Sequence, residues 1–94
     1  QETVLLVEDE EAVRELTRAV LSMAGYQVLA ATCPSEALEL VRAGAPVDLM
    51  ITDVVLPEMN GRQLHDRIAA TRPDVKVLYM SGYPEDALVR GLGT

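Results

Sequence analysis

The chain has 94 residues, 49% of them apolar, with no Phe or Trp, and a formal net charge of −7. That length holds one domain, and an aliphatic core of Val, Leu, Ile, Met and Ala suits parallel strands covered by helices. The acidic balance argues against a nucleic-acid or anionic-membrane surface, and one cysteine, Cys33, rules out a disulfide framework or a multi-cysteine zinc site within the chain.

Residues 3–7, Thr-Val-Leu-Leu-Val, form a continuous apolar run, the mark of a buried strand. The run ends in Glu8-Asp9-Glu10-Glu11, and a helical pattern follows, with Val13, Leu16, Val20 and Met23 recurring at three- and four-residue intervals. Gly25 stops that helix. A second strand is predicted over 26–30. Pro34 then takes the first helical position and Glu36 the first turn, with Ala37, Leu38 and Val41 facing inward. Gly44-Ala45-Pro46 ends the second helix, and a third strand over 47–52 delivers Asp53 at its C-terminal end. A loop over 54–60 contains Pro57. Gly61 opens a third helix with Leu64 and Ile68 inward, Pro73 marks its exit, and residues 75–80 form a fourth strand that runs into Ser81-Gly82. A further helix is expected over 84–90.

This alternation specifies a parallel sheet with right-handed crossovers and helices on both faces. In such sheets ligands bind at the carboxyl ends of the strands. Those ends carry Glu8 and Asp9 after the first strand, Asp53 after the third and Ser81 after the fourth. If the first strand lies beside the third, three carboxylates meet at one rim. Two unit charges ~5 Å apart repel by about 3 kcal/mol at an effective dielectric near 20, so either one carboxylate keeps a proton or a hard divalent cation neutralises the group. Mg²⁺ suits a site of one or two carboxylates better than Ca²⁺, which needs more ligands. A carboxylate beside Mg²⁺ can also serve as a nucleophile toward phosphorus. Among the remaining residues, His65 reads as solvated or partly packed, Arg14 and Arg18 as a solvated face or a partner-docking surface, and Met23, Met50, Met59 and Met80 as core and loop fillers.

Three segments together carry a family resemblance: Val-Leu-Leu-Val-Glu-Asp-Glu at 4–10, Asp-Val-Val-Leu-Pro-Glu-Met-Asn-Gly at 53–61, and Leu-Tyr-Met-Ser-Gly-Tyr at 78–83. The whole chain resembles the receiver domains of response regulators and hybrid histidine kinases. The resemblance implies a flavodoxin-like (CheY-like), doubly wound parallel sheet of order 2-1-3-4-5. It implies that Asp53 is the phosphoacceptor, that Asp9 and Asp53 ligate Mg²⁺ directly with the backbone carbonyl of Val55, that Glu8 acts through a bound water, and that Ser81 is the switch hydroxyl. The implied partner is a histidine kinase or a histidine phosphotransfer domain, with no nucleic acid or membrane bound by this domain and with the fourth strand and helix as the expected dimer face. The domain assists its own phosphorylation and is not an enzyme in the ordinary sense. Apolar bulk at Val55 and Tyr83 is expected to slow hydrolysis of the phosphorylated form.

The family places a catalytic lysine at the end of a fifth strand. The chain stops at Thr94, before that strand and the fifth helix, and its one lysine, Lys76, opens the fourth strand at the far end of the sheet. Weak phosphoryl transfer is therefore expected of these 94 residues alone. The alternative reading is a degenerate receiver acting only as a protein-interaction module. A haloacid-dehalogenase-like phosphatase would want a second Asp two residues after the nucleophile, where Val55 stands. A cytoplasmic setting is expected, since no apolar run approaches the ~20 residues of a membrane span; any anchor of a parent protein lies outside this chain.

Overall fold

The computed structural model describes residues 2–80. Over that span strands and helices alternate: β1 (Thr3–Val7), α1 (Glu11–Met23), β2 (Gln27–Ala31), α2 (Pro34–Arg42), β3 (Leu49–Asp53), α3 (Gly61–Thr71) and β4 (Lys76–Met80). The strands are parallel and lie in the order β2-β1-β3-β4, as the family resemblance implies for its first four. Ser81, Gly82, Tyr83 and the helix expected over 84–90 lie outside the described residues.

All five residues of β1 are buried, because this strand has a neighbour on each side and helices on both faces. Its pleat divides the core in two. Leu5 and Val7 point into the larger cluster with Met50, Ala37, Val41, Leu64 and Ile68, beneath α2 and α3. Val4 and Leu6 join Ile51 on the opposite face, with Leu21 and Tyr26 packed against them. Full burial of a Leu side chain contributes about 1.5–3 kcal/mol, so the completely buried Leu5 and Leu6 tie both layers to the central strand.

The connections follow local chemistry. Pro34 stands at the first position of α2, where its missing N–H costs nothing. Gly25 and Gly44 follow α1 and α2 with φ of 98° and 94°, the left-handed conformation that glycine adopts without a Cβ penalty. Asn60 and Gln63 close a reciprocal capping box at the start of α3: the Gln63 backbone N–H donates to Asn60 Oδ1 at 2.8 Å, and the Asn60 N–H to Gln63 Oε1 at 3.0 Å. Leu64 and Ile68 face inward as predicted, both fully buried. The Pro57 bond is trans, as is every described peptide bond.

Three sequence expectations change. First, β2 begins one residue later than predicted and β3 begins at Leu49. Before Leu49, the Asp48 side chain takes over from the ladder: its Oδ2 accepts from the Thr3 N–H at 2.8 Å, while the Asp48 N–H donates to the Thr3 carbonyl at 2.9 Å. Second, the regular stripe on α1 does not face the sheet. Leu16, Val20 and Met23 are exposed, while Arg14, Thr17 and Leu21 form the half-buried side. Third, Met23 is therefore no core filler, being 87% exposed, whereas Met50 is fully buried and Met59 and Met80 pack against the two clusters. His65 is half-buried, with Nε2 3.3 Å from the Val75 carbonyl, consistent with partial packing.

Candidate metal and phosphoryl site

The site follows from strand register. β1 and β3 are adjacent and parallel, with Val7 opposite Thr52. The next residue on each strand is Glu8 and Asp53, so their side chains leave the same edge of the sheet, on strands about 4.8 Å apart. Asp9 continues from Glu8. The carboxylate oxygens of Glu8, Asp9 and Asp53 all lie within 4.8 Å of one another. The three acids picked from the sequence thus meet, although they come from two segments more than 40 residues apart in sequence.

Their environments differ. Glu8 is 2% exposed and Asp53 7%, while Asp9 is open to solvent. The Glu8 backbone is held from two sides: its N–H donates to the Ala31 carbonyl at 3.1 Å, and its carbonyl accepts from Arg14 Nη1 at 3.0 Å. Glu8 Oε2 also accepts from the Glu10 N–H at 2.9 Å, at the amino end of α1. Behind Asp53, the Gly61 N–H donates to the Val54 carbonyl at 2.8 Å and brings the start of α3 against the end of β3.

Burial pushes the Glu8 carboxyl from its ordinary 4.5 up to about 8, with its hydrogen bond to Asp53 adding to the rise and the Glu10 N–H opposing it. Asp53 is also raised, chiefly by burial, with the hydrogen bond from Glu8 opposing and the charges of Asp9 and Glu10 adding. Both shifts favour keeping one proton on the pair as the pH rises through the ordinary carboxylate range. A consequence is testable in magnesium-free buffer. Between pH 4.5 and about 8 the folded chain keeps this proton and the unfolded chain does not, so stability falls as pH rises through that window. Glu15 and Glu36, whose carboxyls are lowered by hydrogen bonds from Arg18 and Thr32, act in the opposite sense and only below their ordinary 4.5. The melting temperature is expected to drop from pH 5 to pH 9, and Mg²⁺ is expected to remove most of the slope by displacing the proton. A pH-independent melting temperature without the ion contradicts the assignment.

The donor set fits Mg²⁺. It consists of oxygen atoms only, and ligands at about 2.0–2.1 Å from an octahedral ion lie about 3–4 Å apart, a spacing that three carboxylates within 4.8 Å reach with small adjustments. The raised carboxyls are the expected state of such a group without a cation. Val55 lies two residues beyond Asp53 in the loop and is 64% exposed. Ser81 and Tyr83 lie outside the described residues. Lys76 is exposed at the opposite end of the sheet, as the sequence indicates.

Sequence reasoning missed three residues that shape the site. Arg14, read as part of a solvated face, clamps the Glu8 carbonyl. Gly61, read only as a helix start, leaves room for the Asp53 carbonyl: a Cβ there would overlap that oxygen. Glu58, in the loop after β3, accepts hydrogen bonds from Ser35 of α2. Only Gly61 left a usable trace, since glycine directly after an N-cap asparagine is a poor helix former whose use implies a close approach.

Comparison with known proteins agrees with this geometry. Over 91 residues, 96% of the chain, it is 47% identical to the sensor kinase CckA of Brucella abortus, of whose length it spans 10%. The solved structure of the response regulator protein TrrA from Thermotoga maritima, in complex with Mg(2+)-BeF, superposes with a TM-score of 0.80 at 30% identity, over 88% of this chain and 71% of that one. A chain in the solved complex of the histidine kinase ThkA with TrrA superposes with a TM-score of 0.78 at 28% identity, over 90% and 72% of the two chains. A family model for the response regulator receiver domain matches residues 4–92, and the chain belongs to that family.

Proposed function

We propose that this receiver accepts a phosphoryl group onto Asp53 from the phosphohistidine of a histidine kinase or histidine phosphotransfer domain. The observation that carries the reading is the convergence of Glu8, Asp9 and Asp53 at the ends of two adjacent strands. An Asp53 carboxylate oxygen attacks phosphorus as the bond from phosphorus to the imidazole nitrogen breaks, leaving an acyl phosphate on the receiver and a free histidine on the donor. Asp9, Asp53 and the Val55 carbonyl would hold Mg²⁺, with Glu8 reaching it through water. The ion would supply charge neutralisation for the phosphoryl oxygens. A cation bound there would favour the ionised form of both Glu8 and Asp53. Ser81 is the hydroxyl assigned to the phosphoryl oxygens.

The kinase partner is supported by the ThkA–TrrA complex, and the ion by the Mg(2+)-BeF complex of TrrA. The relation to CckA supports a place within a larger sensor kinase. Cys33 is a free thiol, compatible with the reducing cytoplasm in which this reading puts the domain.

The test uses the full-length protein with a small phosphodonor, followed by intact mass and peptide mapping. One phosphoryl group on Asp53, taken up with Mg²⁺ and lost with a chelator, is expected. A folded protein that takes up none with the ion present refutes the reading in favour of an interaction module.

A further inference from the structure

The loop over 54–60 carries Val55, and its two ends are anchored. At the C-terminal end the capping box of α3 and the bond from the Gly61 N–H to the Val54 carbonyl hold it. Leu56 and Met59 lean on the core beneath α2 and α3. Its middle is tied to a different element. Glu58 Oε1 accepts from the Ser35 backbone N–H at 2.8 Å and Glu58 Oε2 from the Ser35 hydroxyl at 2.9 Å, across 23 residues of sequence.

The reason lies at the amino end of α2. Cys33 is the N-cap and makes no side-chain cap hydrogen bond, and Pro34 at the next position has no N–H to offer. The Ser35 N–H is then the first amide of the helix that needs an acceptor, and it lies at the positive end of the helix dipole, where a carboxylate is favoured. A two-point contact fixes the carboxylate's orientation as well as its distance. The turn it grips is braced separately: the Thr32 N–H and hydroxyl both donate to Glu36 Oε1, at 2.7 and 2.8 Å. Between Glu58 and Val55 stand only Leu56 and Pro57, and the proline ring locks its own φ. Glu58 and Val55 thus belong to one short segment, tied down at Leu56 by the core and at Glu58 by Ser35.

We infer that Glu58 is a positioning residue: by gripping Ser35 it holds the acceptor loop so that the Val55 carbonyl stays within reach of an ion at Asp53. This rests on the metal-dependent reading above and extends it to a residue that does not touch the ion. Support for metal ligands from a neighbouring layer is a general source of affinity. The clamp also joins the acceptor loop to α2, so a loop that moves must either carry the helix with it or release Ser35.

The test compares Glu58→Ala with Glu58→Gln in the full-length protein. Glutamine can restore both contacts, its oxygen accepting from the Ser35 N–H and its amide donating to the hydroxyl, so position is kept while charge is removed. Three quantities are read: Mg²⁺ affinity by calorimetry, amide hydrogen exchange at Ser35 and over 55–59, and the melting temperature. Glu58→Ala is expected to weaken Mg²⁺ binding about tenfold and to speed exchange at both segments, with Glu58→Gln close to wild type. Wild-type Mg²⁺ affinity in a folded Glu58→Ala protein overturns the inference, because the residue is then only a cap for α2. Equal losses in both variants overturn it as well, since charge rather than position would be responsible. If the unmodified protein binds no Mg²⁺, the metal reading itself has failed.

Discussion

Replacing Asp53 with asparagine is expected to abolish phosphoryl uptake and, in magnesium-free buffer at pH 8, to make the protein more stable. The first effect is chemical. An amide has no anionic oxygen with which to form an acyl phosphate, and no other carboxylate of the cluster leaves the end of β3. The second effect comes from electrostatics. Asp53 is 7% exposed, and its carboxylate is disfavoured by burial and by the charges of Asp9 and Glu10. A neutral side chain of the same shape removes that cost, and its amide N–H can donate to the Glu8 carboxylate. Relieving an unfavourable charge at a functional site typically gains about 0.5–2 kcal/mol. Thermal melts at pH 8 without Mg²⁺, with mass analysis after incubation with a phosphodonor, measure both. Continued uptake by the asparagine variant would place the acceptor elsewhere. Lower stability would mean that the crowded acids do not repel one another in the folded chain.

Gly61→Ala is expected to be the most damaging single-methyl change in the described residues. The added Cβ would overlap the Asp53 carbonyl oxygen and lie 3.0 Å from Thr52 Cγ2, and both neighbours belong to the buried end of β3. The β3 backbone cannot move away without breaking its pairing with β1 and β4, so α3 has to retreat. Overpacking of this kind costs about 3 kcal/mol or more, which for a domain of this size lowers the melting temperature by about 10 °C or more. The shift also moves the acceptor, so phosphoryl uptake should slow in whatever fraction stays folded. Gly25→Ala and Gly44→Ala supply the contrast. Neither Cβ meets an atom within 4 Å, but both positions have positive φ, so each should cost about 1–2 kcal/mol and leave the site untouched. Melting curves of the three variants, with uptake rates, separate crowding at the site from backbone strain away from it. A Gly61→Ala protein with wild-type stability and uptake would mean that α3 does not press on the acceptor strand.

Much of this molecule is legible in residue order alone. The apolar run in β1, the glycines after α1 and α2, Pro34 at a helix start and the inward Leu64 and Ile68 are local signals, and each led to the element observed. The acids at the strand ends were legible for the same reason: strand polarity alone puts Glu8, Asp9 and Asp53 at one edge of a parallel sheet. The place of Arg14 was not legible. It lies with Thr17 and Leu21 on the half-buried side of α1, while Leu16, Val20 and Met23 are exposed among the described residues. The guanidinium of Arg14 is accommodated there because the Glu8 carbonyl accepts its hydrogen bond, a partner that no helical wheel contains.

The sequence by itself determined the succession of elements, the aliphatic two-faced core and the identity of the acids at the strand ends, because these depend on residue type and near neighbours. Tertiary structure alone decided which acids are buried, which glycine is required by space, and that Glu58 closes on Ser35. Those outcomes depend on distances between segments far apart in the chain. The burial of Glu8 and the crowding at Gly61 arise only once the sheet register has brought those segments together.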